Sequence, residues 1–157
     1  MDAVSEARLG MIWPVLAAKI RTLAEMLEQE SITIRVTQAL RSWTEQDGLY
    51  QQGRTRPGPI VTNAAAGTSW HNFGMAVDVV PMAQAGQPDW NVEHPAWKRL
   101  IAAGESLGLF SGSEFRTFKD YPHFQLTGRF PVSPTDEVRQ LFKDAGMEAV
   151  WQEAEQV

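Results

Sequence analysis

Ser69-Trp70-His71-Asn72-Phe73-Gly74-Met75-Ala76-Val77-Asp78-Val79-Val80 is the stretch that decides how this chain is read. Its second half, residues 75–80, is a short apolar run rich in β-branched side chains and closed by Pro81, which reads as a buried strand. Side chains alternate along a strand, so Ala76, Asp78 and Val80 share one face while Val77 and Val79 share the other. An aspartate in so apolar a segment is costly unless its charge is compensated. An arginine does that, and so does a metal ion. His71 lies upstream, and Gly74 lets the chain bend between the two.

Further along, Asp120-Tyr121-Pro122-His123 supplies a second carboxylate and a second imidazole. His123 opens an alternating segment with Gln125 on its own face, and Pro122 is tolerated at the start of a strand. The two segments together offer two neutral nitrogen donors, one anionic oxygen donor and one spare carboxylate. A catalytic zinc site needs that inventory: three protein ligands, an open position for water and a nearby base. Keeping Asp120 out of the ligand set leaves a net positive charge to acidify water. A purely structural zinc site would instead use four protein ligands. The remaining histidine, His94, precedes Pro95 at the head of a helical pattern and reads as a helix-start residue outside the metal group.

Around these segments the pattern is mixed. Pro14 opens a helix over 14–29, and the alternating run 32–37 reads as a strand. Ser42 with Glu45 makes a capping box for a short helix ending near Gly53, and 54–68 is a loop leading to the site. Residues 84–91 form a loop or small hairpin, 94–107 a helix stopped by Gly108, and 115–118 and 123–126 two more strands. A C-terminal helical segment over about 134–155 is broken by Gly146. With no repeat or interdomain linker, 1–157 reads as a single α+β domain carrying a small, mostly antiparallel sheet flanked by helices.

The 157 residues are enough for one core, and 43% hydrophobic with 21% charged residues is a globular balance. There is no cysteine, so any transition metal must be held by His and carboxylate, a set that suits zinc. A net charge of -5 with no dense basic run argues against nucleic acid as a partner. Residues 11–18 are apolar but too short for a membrane span, and the N-terminus lacks a signal-peptide pattern. The expected location is cytoplasmic as synthesised.

Segments 36–55, 68–80 and 119–126 resemble the zinc peptidases of the D-alanyl-D-alanine carboxypeptidase and L-alanyl-D-glutamate endopeptidase superfamily, bacterial and phage enzymes that cut cell-wall peptides. The spacing S-x-H-x-x-G-x-A-x-D paired with D-x-P-H carries the resemblance. Gln38-Ala-Leu-Arg-Ser-Trp-Thr-Glu-Gln46 and Leu49-Tyr-Gln-Gln-Gly-Arg54 are similar to the phage endolysin branch, so the likeness covers nearly the whole chain. It implies a hedgehog/D,D-peptidase-like fold with Zn2+ held on the sheet by His71, Asp78 and His123. Asp120 stands where the family usually has a catalytic Glu and some endolysins an Asp; its shorter arm requires closer backbone placement. Arg41 matches the arginine implied to contact the scissile carbonyl and stabilise the oxyanion, and Ser69 the serine implied to hydrogen-bond substrate or the ligand shell. Gln46, Tyr50 and Arg54 recur in this branch and line the groove or lock the helix, with Gln46 assigned to substrate.

The implied reaction is hydrolysis of an amide in the peptidoglycan stem peptide, between L-alanine and D-glutamate. D,D- or L,D-carboxypeptidase activity is the alternative, and a non-catalytic zinc-containing binding module a second one, against which the presence of both Asp120 and Arg41 speaks. The expected partners are the stem peptide and a holin for export. The chain is expected to be a monomer acting on the wall after release.

Overall fold

The computed structural model describes residues 1–156. Helix α1 (Ala3–Leu9) starts at Asp2, whose carboxylate accepts from the Ser5 backbone N–H. Pro14 opens α2 (Pro14–Glu28), which buries Leu16, Ile20, Leu23 and Leu27. The expected capping box is formed: Ser42 and Glu45 exchange hydrogen bonds at the head of α3 (Trp43–Gln51). His94 caps α4 (Pro95–Ser106), whose buried stripe includes Trp97 and Leu100. Thr135 caps α5 (Asp136–Ala145), and Gly146 separates it from α6 (Met147–Ala154).

Four strands make one antiparallel sheet in the order β1-β2-β4-β3, with β1 Ile34–Gln38, β2 Ala76–Pro81, β3 Phe110–Ser111 and β4 His123–Gln125. The α+β class expected from the sequence is the one observed. Asp78 stands directly opposite His123 across the β2–β4 pair, so the pleat sends both side chains to one face. Val77 and Phe124 pair on the other face, where α4 lies against the sheet. Gly104 of α4 meets the Phe124 ring so closely that a Cβ there would overlap it. A bulge at Thr37 lets Gln38 reach the register of Asp78 on the far side of β2.

Three elements differ from the sequence expectation. Residues 115–118 pair with no strand, 116–118 being bent, and the strand beside β4 is Phe110–Ser111. The reason is packing: Phe115 folds its ring between Phe110 and His123, at 5.5 and 5.4 Å between centroids. His71 sits on a 3-10 turn, Trp70–Phe73, not on irregular loop. Helix α1 was not expected either. It covers the edge of the sheet, because Ser5 Oγ accepts from the Val36 N–H at 2.9 Å and Arg8 donates to the Val36 carbonyl at 2.7 Å. Residues 84–91 form the small hairpin, closed by a bridge between Met82 and Pro88.

Candidate metal centre

Ser69 caps the 3-10 turn by accepting from the His71 N–H at 3.3 Å, and Gly74 ends it at φ 63, the left-handed region where a side chain is strained. A Cβ at Gly74 would also press on Trp151 and Met147 of α6. Trp151 anchors the turn from behind by donating to the Phe73 carbonyl at 2.8 Å. This arrangement holds His71 over the polar face of β2.

Each imidazole is fixed from behind. His71 Nδ1 lies 2.7 Å from the Ala39 carbonyl oxygen, which only accepts, so Nδ1 carries the proton. His123 Nε2 lies 2.9 Å from Gln125 Oε1, and Gln125 donates through Nε2 to the Val132 carbonyl at 2.8 Å. Oε1 is therefore an acceptor, and His123 carries its proton on Nε2. The nitrogens left over, His71 Nε2 and His123 Nδ1, point lone pairs at each other across 3.2 Å.

Asp78 Oδ1 completes the triangle, 3.1 Å from the first nitrogen and 3.5 Å from the second. Two buried ring nitrogens and a half-buried carboxylate oxygen thus converge with no proton among them while both rings are neutral. The alternatives are protonation or a shared cation. A tetrahedral zinc with bonds of about 2.0–2.2 Å has ligand–ligand edges of about 3.3–3.6 Å. The triangle's edges of 3.1, 3.2 and 3.5 Å are slightly tighter, a small opening away from that size. His71, Asp78 and His123 form a group able to hold a metal ion. The hydrogen bond behind each ring is the support that metal-ligating histidines ordinarily have.

The electrostatics follow. Burial pushes the Asp78 carboxyl up, but His71 and His123 outweigh it and hold the group well below the usual carboxylate range. Burial pushes the His123 imidazole down, and the hydrogen bond and charge of Asp78, with Asp120 behind them, more than reverse this. Asp120 moves the other way. Partial burial and the negative charge of Asp78 raise it, against opposing pulls from His123, His71 and Arg41. A raised carboxyl 4.0 Å from His123 Nδ1 is placed to take up and return a proton at the group.

Arg41 is not a surface arginine. Its guanidinium lies 3.6 Å from Asp78 Oδ2 and donates to Gln46 Oε1 at 2.9 Å. Gln46 is fully buried, and its Nε2 donates to the Ala64 carbonyl at 2.7 Å. Of the two roles open to Gln46, lining the groove or locking the structure, its burial and partners are those of the second: its amide holds Arg41 and the 54–68 loop. Tyr50 and Arg54 lock the helix, with Arg54 stacked at 4.0 Å over the Tyr50 ring and donating to the Tyr50 and Thr62 carbonyls. His94 is remote from the group, capping α4 beside Asp89.

Sequence reasoning missed three supporting residues. Gln125 sets the His123 tautomer. Asn72 donates to the Arg41 carbonyl at 3.0 Å and accepts from the Gly67 N–H, tying the segment of Arg41 to the turn of His71. Gly112 accepts from the Asp120 N–H at 2.9 Å through its carbonyl, and a Cβ there would collide with the Asp120 carbonyl and come within 2.8 Å of the His123 Cβ. The tight seat brings the short Asp120 arm to the group. Only the placement of Gln125 on His123's face was legible beforehand.

The group lies at the bottom of an open cleft of about 360 Å³, lined by Arg41, Ser69, His71, Asp120 and His123 and walled by the 61–64, 115–118 and 132–134 segments. Buried ligand atoms, a raised carboxyl and a fixed guanidinium in one cleft define a hydrolase-type centre. The family model described as D-alanyl-D-alanine carboxypeptidase matches residues 62–126. The chain is also 33% identical over 120 residues to the peptidoglycan L-alanyl-D-glutamate endopeptidase CwlK of Bacillus subtilis (strain 168), a match covering 72% of each chain. It belongs to this peptidase family. Among solved structures, the L-Ala D-Glu endopeptidase ChiX of Serratia marcescens matches with TM-score 0.60 and 31% identity, over 82% of this chain and 90% of that one. The LdcB LD-carboxypeptidase shares the fold, with TM-score 0.54 and 23% identity over 74% of this chain and 65% of that one. No helix among the described residues is long and apolar enough to cross a membrane.

Proposed function

We propose that this peptidase is a zinc-dependent L-alanyl-D-glutamate endopeptidase acting on the peptidoglycan stem peptide. The observation that supports it is the convergence of His71, Asp78 and His123 into a group able to hold a metal ion, with Asp120 and Arg41 beside it. The identity of the bond rests on the likeness to two endopeptidases of that specificity. When bound, zinc supplies Lewis acidity, acidifying water toward a pKa of about 7 and polarising a carbonyl.

Asp120 takes the proton of the attacking water and delivers it to the departing D-glutamate nitrogen. Arg41, held by Gln46, faces the scissile oxygen as negative charge develops on it. Ser69, on the lining of the cleft, offers its hydroxyl to the substrate backbone while fixing the turn of His71. The protein acts as a monomer on the wall, and a holin provides its route there.

Digesting a purified stem peptide and weighing the products tests the reading. A fragment beginning with D-glutamate supports it. Release of C-terminal D-alanine with the L-alanine bond intact sinks it in favour of the carboxypeptidase reading, which the description of the matching family model favours. Metal analysis before and after chelation tests the zinc assignment.

A further inference from the structure

We propose that Arg116 is a specificity-determining residue that reads the free α-carboxylate of D-glutamate on the leaving side of the scissile amide. The inference rests on the endopeptidase reading above and narrows it to stem peptides whose glutamate is not amidated. Arg116 lines the same cleft as His71, Asp120 and His123. It follows Phe115, whose ring packs 5.4 Å from that of His123. Arg116 therefore belongs to the same wall of the cleft as an aromatic ring that packs on one of the metal group's imidazoles.

The guanidinium is also free to bind. Among the described residues, Lys119 donates to the Ser113 carbonyl and Asp120 lies toward His123, and neither engages Arg116. Arg41, the other cation lining the cleft, is already held by Gln46 and Asp78. Asp120 is the one acidic lining residue, and the rest of the wall, including Val61, Thr62, Thr117 and Phe118, carries no formal charge. In a chain of net charge -5, an exposed and unpaired arginine at this place is a local anion receptor.

Substrate chemistry supplies the anion. In γ-linked D-glutamate the α-carbon bears both the scissile nitrogen and a free carboxylate, so the carboxylate carbon is held two bonds from that nitrogen. A planar guanidinium meets a carboxylate with two parallel N–H donors. Amidation removes the charge and replaces one acceptor with a donor, which faces the arginine unfavourably.

The test compares two synthetic tetrapeptides, L-Ala-γ-D-Glu-L-Lys-D-Ala and its D-isoglutamine counterpart, by kcat/KM and product mass with zinc-loaded enzyme. The wild type is expected to prefer the free acid about ten- to hundredfold, the range of a charged hydrogen bond. Arg116→Ala is expected to collapse that preference through a larger loss on the free acid, with zinc content retained, and Arg116→Lys to regain part of it. Calorimetric binding of the uncleaved peptides to chelated enzyme should follow the same order. Equal cleavage of both peptides by the wild type, or a preference that survives in Arg116→Ala, overturns the proposal. An equal loss on both peptides in Arg116→Ala also overturns it, as a general rather than selective role. D-Alanine release from either peptide, with the L-alanine bond untouched, marks failure of the endopeptidase reading itself.

Discussion

On the floor of the cleft, His71, His123 and Gln125 are nearly inaccessible, and the atom behind each reacting nitrogen has a partner. On its rim, Val61, Phe118 and Val132 face solvent, and Arg116 is exposed, with no side-chain partner among the described residues. The floor is built on paired strands and a capped turn, so its geometry is set before any substrate arrives. The rim is carried by loops between those elements. Regions of these two kinds divide the work: a preorganised floor performs chemistry common to many substrates, and an adaptable rim selects among them. Substitutions on the floor should therefore reduce hydrolysis of every peptide, whereas those on the rim should change the ratio between peptides.

The largest effect expected is at Asp120. Asp120→Ala should lower kcat by about 10²–10⁴-fold on all peptides, the range of general acid–base catalysis, with metal content unchanged by elemental analysis. Wall-lytic activity surviving this change would break the assignment of the floor. Arg41→Ala should cost about 10²–10³-fold in kcat. Arg41→Lys should restore little, because an ammonium lacks the fork that meets both Gln46 and substrate. Gln125→Leu removes the acceptor that sets the His123 tautomer and should weaken zinc affinity about 10–100-fold in a competitive chelator titration. An unaltered affinity would show that the ring needs no such support.

The smallest effect lies outside both regions. Asp2→Ala deletes the cap of α1 and should lower stability by about 1 kcal/mol near neutrality. The hydrogen bond from the Ser5 N–H, aided by Arg35, holds the Asp2 carboxyl at about 2 against slight burial. Since the folded value is depressed from 3.8, its contribution is complete above that pH and is lost as pH falls through about 2. The difference in melting temperature between wild type and variant should shrink over that window while hydrolysis near neutrality is unaffected.

Much of the architecture was legible because local rules and tertiary structure agree. Pro14, the Ser42–Glu45 box and Gly146 mark helix ends in the chain itself. The alternation grouped Asp78 with Ala76 and Val80, and His123 with Gln125, and the strand pairing then brought the two faces together. The failures have one physical cause, which is that the deciding partner is distant in sequence. Residues 116–118 bend away from a strand where the Phe115 ring packs on those of Phe110 and His123. Helix α1 is short, and docking on the edge of β1 supports it. Asn72, Gly112 and Gln46 acquire their roles from Arg41, Asp120 and Ala64, which no local pattern announces.

The contact between Gly112 and Asp120 has a consequence for how such a centre can vary. Backbone clearance at one position and arm length at the other are a matched pair, since their sum sets how far the carboxylate reaches. A longer acid at 120 would overshoot unless the turn receded, and the methyl of an alanine at 112 would drive that recession. Neither exchange is neutral by itself, so the two sites are bound to drift together or stay as they are.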